Sequence, residues 1–252
     1  MDMGGFEGDE PQVNARARTV RGLVLAAALD RYRREAEVTT AQLAGAMRMT
    51  AAMTNRIMTG RRVPSGVEIG GLCALLEVPA AERPFLYELA RTVDDRAWEL
   101  SGTWGRVVLE RVFGVAARGF FYDPHLIPRP LRTDEYARAF GAKIASGVPR
   151  VHESLIPEHT LTRAAPVVRS QLMHLLDNPG QWRVIPADEP TVPGFALLEM
   201  PHFQPVLHLE LLGAELLLED PRLSARYQER LQALTQAALS PEDSVDLVRG
   251  IG

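Results

Sequence analysis

A chain of 252 residues with 46% hydrophobic and 24% charged side chains is long enough for one large domain or two modest ones, and its net charge of −4 is unremarkable for a folded protein. No apolar run approaches the roughly 20 residues that cross a bilayer, and the opening MDMGGFEGDE lacks the basic-then-apolar order of a signal peptide, so a cytoplasmic protein with no membrane association is expected. The single cysteine, Cys73, excludes an internal disulfide and cannot build a thiolate metal site alone; within IGGLCALLEV it reads as a packing thiol.

The charge is uneven. Residues 14 to 62 hold ten arginines (16, 18, 21, 31, 33, 34, 48, 56, 61 and 62) against Asp30, Glu35 and Glu37, a local +7 that leaves −11 on the rest. A basic segment on an acidic chain fits a nucleic-acid module joined to another domain, because phosphate contacts need only local positive potential. Part of the pattern is compositional, since Lys143 is the only lysine.

In chain order, residues 1–13 read as a disordered tail, and NARARTVRGLVLAAALDRYRREAE has the apolar spacing of a long helix. TTAQLAGAM and TAAMTNRIM each open on a threonine N-cap candidate and are short, and GRRVPSG stops the run. VEIGGLCALLEV and AAERPFLYELARTVDDRAWEL supply two further predicted helices. Two short helices separated by a tight turn at Met47-Arg48-Met49, within a set of five, form the helix-turn-helix layout, in which the second helix enters the major groove.

Beyond SGTWG the character changes. RVVLERVFGVAARGFFYDPHLIPRPL is mixed, RTDEYARAFGAKI is helical with Thr133 as cap, and PVVRSQLMHLLDN is a further helix. QWRVIP, GFALLEM, PVLHLEL and AELLLED read as four short strands, followed by helices at DPRLSARYQERLQALTQAAL and SPEDSVDLV. The expected fold class is therefore mainly α with an α+β C-terminal domain: a five-helix module over 14–100, then helices and a small antiparallel sheet over 101–252.

These segments carry a resemblance. Residues 14–100 are similar to Xre-type, phage-repressor-like helix-turn-helix domains, and IPRPLRTDEYARAF, QLMHLL, GFALLEMP and ALSPEDSVDLV resemble the uncharacterised C-terminal domain that follows such modules in many actinobacterial regulators. The resemblance implies a transcriptional repressor or antitoxin-like regulator working with a small partner protein, its C-terminal domain sensing a ligand or binding that partner. The chain departs from the pattern at the turn, where Arg48 stands for glycine, at Thr40 for glutamine, at Thr54 for a buried aliphatic residue and at Met58 for glutamate. Arg129, Pro130 and Arg132 stand for glycine, leucine and glutamine in the C-terminal motif.

On the expected recognition helix Ala51 and Ala52 occupy positions where long polar readers are usual, leaving Asn55 and Arg56 to contact base edges. Thr40, Thr50, Arg61 and Arg62 are the candidates for phosphate contacts. Met49, Met53 and Ile57, spaced i, i+4 and i+8, read as a core stripe. His125, Arg129, Arg132, Tyr136, Arg138 and Trp182 form the candidate ligand or partner site, with guanidinium forks suited to an anionic ligand or an acidic segment. His208 and Glu210 share one strand face and are the candidate acid/base pair if the chain is catalytic. His152 and His159 flank Pro157 in an expected loop and are not read as ligands. No metal-ligand spacing, phosphate loop or serine elbow is present, so no metal or cofactor is expected.

Two functions stay open. One is a dimeric regulator that binds double-stranded DNA and senses a small molecule or small protein partner. The other is a regulator scaffold recruited as a small-molecule-binding protein or biosynthetic enzyme, such as a cyclase, that no longer reads DNA. The second requires an apolar pocket lined by aromatic residues such as Trp104, Phe120, Phe121, Tyr122, Trp182 and Phe195.

Overall fold

The computed structural model describes residues 19–145, 147–164, 169–201 and 203–251, so the expected N-terminal tail lies outside the described residues. The chain divides into two compact units, one ending at Asp94 and the other beginning at Asp95.

The first unit is all helical: α1 (Val20–Glu35), α2 (Thr40–Ala46), α3 (Ala51–Met58), α4 (Gly66–Leu75) and α5 (Arg83–Arg91). Each of the first four begins where a hydroxyl accepts from the backbone: Thr19 from Gly22, Thr39 from Gln42, Thr50 from Met53 and Ser65 from Glu68. The caps of α2 and α4 are reciprocal, because the side chains of Gln42 and Glu68 reach back to the cap amides. Leu25, Leu29, Leu43, Ile57, Ile69, Leu72, Leu86 and Leu89 fill the core, and Cys73 is buried among them as expected.

The helix ends explain the tight turns. After α2 the amide of Met49 bonds to the carbonyl of Ala44 and that of Arg48 to Gly45, a Schellman arrangement that puts Arg48 at φ 52°. Glu37 and Glu77 end α1 and α4 in the same way, at φ 56° and 51°. Only α3 ends on glycine. Gly60 has φ 69°, and a Cβ there would meet the Gly22 carbonyl oxygen at 3.1 Å, so this glycine serves both the turn and the approach of α3 to α1.

The second unit carries a seven-stranded sheet in the order β1-β7-β6-β5-β2-β3-β4, with β1 (Ala97–Ser101), β2 (Arg118–Tyr122), β3 (Val151–Pro157), β4 (Trp182–Ile185), β5 (Phe195–Glu199), β6 (Val206–Glu210) and β7 (Ala214–Leu218). The four expected strands are all present, and three more join them. The sheet is mixed rather than antiparallel, since β2 with β3 and β3 with β4 pair in parallel. The sequence AAERPFLYELARTVDDRAWEL is not one helix: it is helical only over Arg83–Arg91, and its end begins β1, whose alternate residues Trp98 and Leu100 are buried against polar neighbours.

Helices α6 (Gly102–Val115), α7 (Asp134–Phe140), α8 (Glu158–Ala164), α9 (Arg169–Asp177), α10 (Pro221–Ala237) and α11 (Pro241–Ile251) cover the sheet. His152 and His159, expected in a loop, lie in β3 and α8. One cross-strand row runs Trp98, Leu217, His208, Ala196, Phe121, Ser154, Trp182, through every strand of the sheet. All seven residues are buried. Tyr122, Leu155, Phe195, Leu197 and Leu207 pack on the opposite side against Leu231 and Leu234 of α10. Among the described residues no helix is long and apolar enough to cross a membrane.

Candidate functional site

In the first unit, α2, the turn at Arg48 and α3 form the expected helix-turn-helix. Thr54 and Ile57 are buried on α3, whereas Ala51, Ala52, Asn55 and Arg56 are exposed. The buried Thr54 satisfies its hydroxyl on the Thr50 carbonyl at 3.2 Å. The methionine stripe is not simply core: Ile57 is 1% exposed, but Met53 is 36% exposed and widens the open apolar edge of α3.

The expected phosphate contacts separate. Thr50 caps α3 with its side chain on the Met53 amide. Thr39 caps α2 as expected, and Thr40, the phosphate candidate, is the helix's first residue. Arg62 is committed within the fold, with Nη2 donating to Glu68 Oε1 and Oε2 at 2.8 and 3.0 Å. Arg61 and Arg56 are exposed, and together with Arg62 and Arg91 they line a cleft of about 350 Å³ beside Pro64 and Ser65. Exposed guanidinium groups beside the recognition helix suit phosphate and base-edge contacts.

In the second unit a cavity of about 700 Å³ opens where the β5–β6 ladder stops. The last paired residues are Ala196 and His208, while β6 and β7 continue two positions further, to the Glu210–Glu215 pair. His208, Glu210 and Glu215 share one face, with His208 at the last position paired to β5 and the Glu210–Glu215 pair beyond it. Into this space the 3₁₀ turn Arg129–Leu131 delivers Arg129, and the residue after it delivers Arg132. The apolar walls include Phe121, Leu126, Val192, Phe195 and Ala196.

Both guanidinium groups are buried and held by carboxylates. Arg129 Nη2 donates to Glu215 Oε1 at 2.7 Å and lies 3.1 Å from Glu210 Oε2. Arg132 donates from Nε to the Ile127 carbonyl at 2.6 Å, from Nη1 to the Lys143 carbonyl at 2.9 Å and from Nη2 to Asp123 Oδ2 at 3.0 Å. Lys143 Nζ joins Glu215 Oε1 at 2.9 Å. His208 Nε2 lies 2.7 Å from Glu215 Oε2. Burial pushes the imidazole of His208 down, so it is neutral and donates Nε2–H to the carboxylate. Burial alone would raise Glu215, but the His208 hydrogen bond and Arg129 outweigh it and bring its carboxyl down to about 2.

The expected ligand cluster is thus only partly assembled. His125, Arg129 and Arg132 line the cavity, with His125 at its exposed rim. Tyr136 and Trp182 do not: both are core, the Tyr136 hydroxyl accepting from the Ile127 amide at 2.9 Å and Trp182 Nε1 donating to the Leu175 carbonyl at 3.0 Å. Arg138 is exposed and donates to the Asp134 carbonyl. His208 and Glu210 both line the cavity, but the carboxylate on His208 is Glu215. Of the aromatic residues expected around a pocket, Phe121, Tyr122 and Phe195 line it and Phe120 does not; the side chain of Trp104 lies outside the described residues. Asp123, Lys143 and Glu215 were missed by the sequence reading.

Each unit contains a segment that matches a known domain family. Residues 24–86 match a helix-turn-helix domain family, and residues 142–250 match a domain of unknown function, DUF5753. The chain carries a helix-turn-helix domain followed by this second domain. No curated protein matches the chain. Among solved structures, TrmBL2, an archaeal chromatin protein described as showing a novel mode of DNA binding, aligns at 14% identity over 80% of this chain and 87% of its own, with a TM-score of 0.31. That likeness is too slight to carry an argument.

Proposed function

We propose that this protein is a sequence-specific, DNA-binding transcription regulator of the Xre type, acting as a homodimer in the cytoplasm, whose second domain binds a small molecule or small protein partner that sets its DNA affinity. The observation that carries this reading is the exposure of Asn55 and Arg56 side by side on α3, with Arg61 also exposed beside them. Dimerisation follows from energetics, because two residues reading base edges give modest discrimination and a second half-site about doubles it. The actinobacterial resemblance and the small-partner idea belong to the same reading.

The test is binding to the protein's own upstream DNA and to a scrambled duplex across a salt series. Arg56→Ala is expected to cost about 1–3 kcal/mol on the preferred site and little on unrelated DNA, while Arg61→Ala weakens both alike and lowers the salt slope by about one. Equal affinity for both duplexes in the parent protein would remove the regulator reading.

A second reading is a regulator scaffold turned to binding or transforming a small molecule. It is favoured by Ala51 and Ala52 on the exposed side of α3 and by the cavity with Phe121, Tyr122 and Phe195 on its walls. It gains ground if Arg56→Ala leaves DNA binding untouched. His208 is a weak candidate for acid/base work, being buried and tied to Glu215.

A further inference from the structure

The charges around the second-domain cavity decide what it can hold. Arg129, Arg132 and Lys143 face Asp123, Glu210 and Glu215, and every cation already has a carboxylate within 3.1 Å. His208 adds no charge, since burial keeps it neutral. Guanidinium groups in the motif IPRPLR suggest an anion site in the sequence; in the fold the three positive charges are cancelled by three negative ones. A ligand with a net charge would bring an uncompensated charge to a largely buried cluster, which is costly without a partner.

Besides Arg129 Nε, which is buried without a hydrogen-bond partner among the described residues, two partly exposed groups remain open to hydrogen bonding. The Glu210 carboxylate, 29% exposed, touches Arg129 and Arg132 only through Oε2, and neither oxygen accepts a hydrogen bond among the described residues. Lys143, 41% exposed, uses its ammonium on Glu215 Oε1 alone, leaving further N–H donors. An acceptor and a donor thus stand in a cavity whose walls also include the apolar side chains of Phe121, Leu126, Val192, Phe195 and Ala196, with His125 and Thr191 as further polar lining. Its volume of about 700 Å³ lies within the roughly 300–1,000 Å³ of small-molecule sites.

We propose that this cavity takes an amphipathic small molecule of no net charge, its apolar body against Phe121 and Phe195 and its head, such as an amide or hydroxy-carbonyl group, donating to Glu210 and accepting from Lys143. This rests on the reading of the second domain as ligand-binding and adds the chemical class.

The test uses fluorescence titration of the full chain with three dyes of similar size: neutral Nile red, anionic anilinonaphthalene sulfonate and a cationic styrylpyridinium. Nile red is expected to saturate at one per chain with a blue-shifted emission, and each charged dye to bind at least tenfold more weakly. Glu210→Gln, which leaves one excess positive charge, is expected to tighten the anionic dye about tenfold; Lys143→Met is expected to do the same for the cationic dye. Val192→Trp and, independently, Thr191→Trp fill the cavity from its rim and are expected to weaken Nile red at least tenfold. Anionic dye binding the parent as tightly as Nile red, an unchanged preference in both charge variants, or full Nile red binding in both filled variants would each overturn the proposal. DNA affinity measured at saturating Nile red is separate: if it does not move while the dye preferences hold, the sensing role fails and the ligand class stands.

Discussion

Arg129 and Glu215 are 86 positions apart in the chain and 2.7 Å apart in the fold, one buried on a 3₁₀ turn and the other on a strand. This pair closes the overhanging hairpin of β6 and β7 onto the turn. Removing one member of a buried ion pair strands the other, which typically costs about 3–5 kcal/mol. Arg129→Met is therefore expected to lose about that much stability, and Arg129→Met with Glu215→Leu to lose less than the single change. Urea unfolding followed by tryptophan emission reads this domain alone, because Trp98, Trp104 and Trp182 all follow Asp94. A double variant as unstable as the single one would show that the hairpin is held by something else.

Acid is expected to act on the same cluster. Glu215 sits at about 2 in the fold against an ordinary 4.5, so its contribution is complete above pH 4.5 and lost as pH falls from there through 2. At 1.36 kcal/mol per unit the loss is about 3 kcal/mol. His208 pulls the same way: its folded value is lowered from 6.5, so the unfolded chain takes the proton first and stability begins to fall below pH 6.5. Glu215→Gln should flatten the curve between pH 4.5 and 2, measured by urea midpoints at a series of pH values. An unchanged slope there would assign the acid sensitivity to other carboxylates.

Arg48 pays a conformational cost at φ 52°, where a side chain is disfavoured by roughly 1–2 kcal/mol. Arg48→Gly relieves it, partly offset by the greater freedom of glycine in the unfolded chain. The expected net gain is about 0.5–1 kcal/mol, read as slower amide exchange in α2 and α3. The same change removes an exposed cation, so affinity for unrelated DNA should fall while the protein becomes more stable. Slower exchange with unaltered DNA affinity would mean that Arg48 does not approach phosphate.

Arg62 and Arg61 are neighbours with opposite expectations. Arg62→Ala deletes the contact to Glu68 that braces the start of α4 and should cost about 1 kcal/mol of stability with little change in the salt dependence of DNA binding. A fall in salt slope equal to that of Arg61→Ala would show that Arg62 leaves Glu68 for phosphate.

The legible parts of the fold were those written in local chemistry. Thr50 and the turn at Arg48 announce the helix-turn-helix through cap and spacing, and the strands containing Trp182, Phe195, His208 and Glu215 show themselves as short apolar runs between turns. What stayed hidden was non-local. Strand β3, VHESLIP, has three polar residues after its opening valine and is a strand because β2 and β4 flank it in parallel. In β1 the alternation of Trp98 and Leu100 is too brief to override the helical pattern before it. The candidate cavity was half legible: Arg129, Arg132, His208 and Glu210 stood out by type, but the pairing of Arg129 with Glu215 depends on contacts 86 positions apart, and that of Arg132 with Asp123 on the path of the loop between them. Lys143 stood out only as the single lysine, and nothing in the stretch between α7 and β3 marks it as part of the site.

The first strand of the second unit lies beside its last. Strand β1 emerges first in this domain but pairs only with β7, so its hydrogen bonds wait until Leu218 has been synthesised. The helical module needs nothing beyond Asp94 for its internal contacts. At about 5–20 residues per second, typical of translation, the ribosome takes on the order of 6–25 s to pass from one point to the other. During that interval a nascent chain would hold a finished helix-turn-helix while β1, whose Trp98 is buried in the finished sheet, waits for its partner strand.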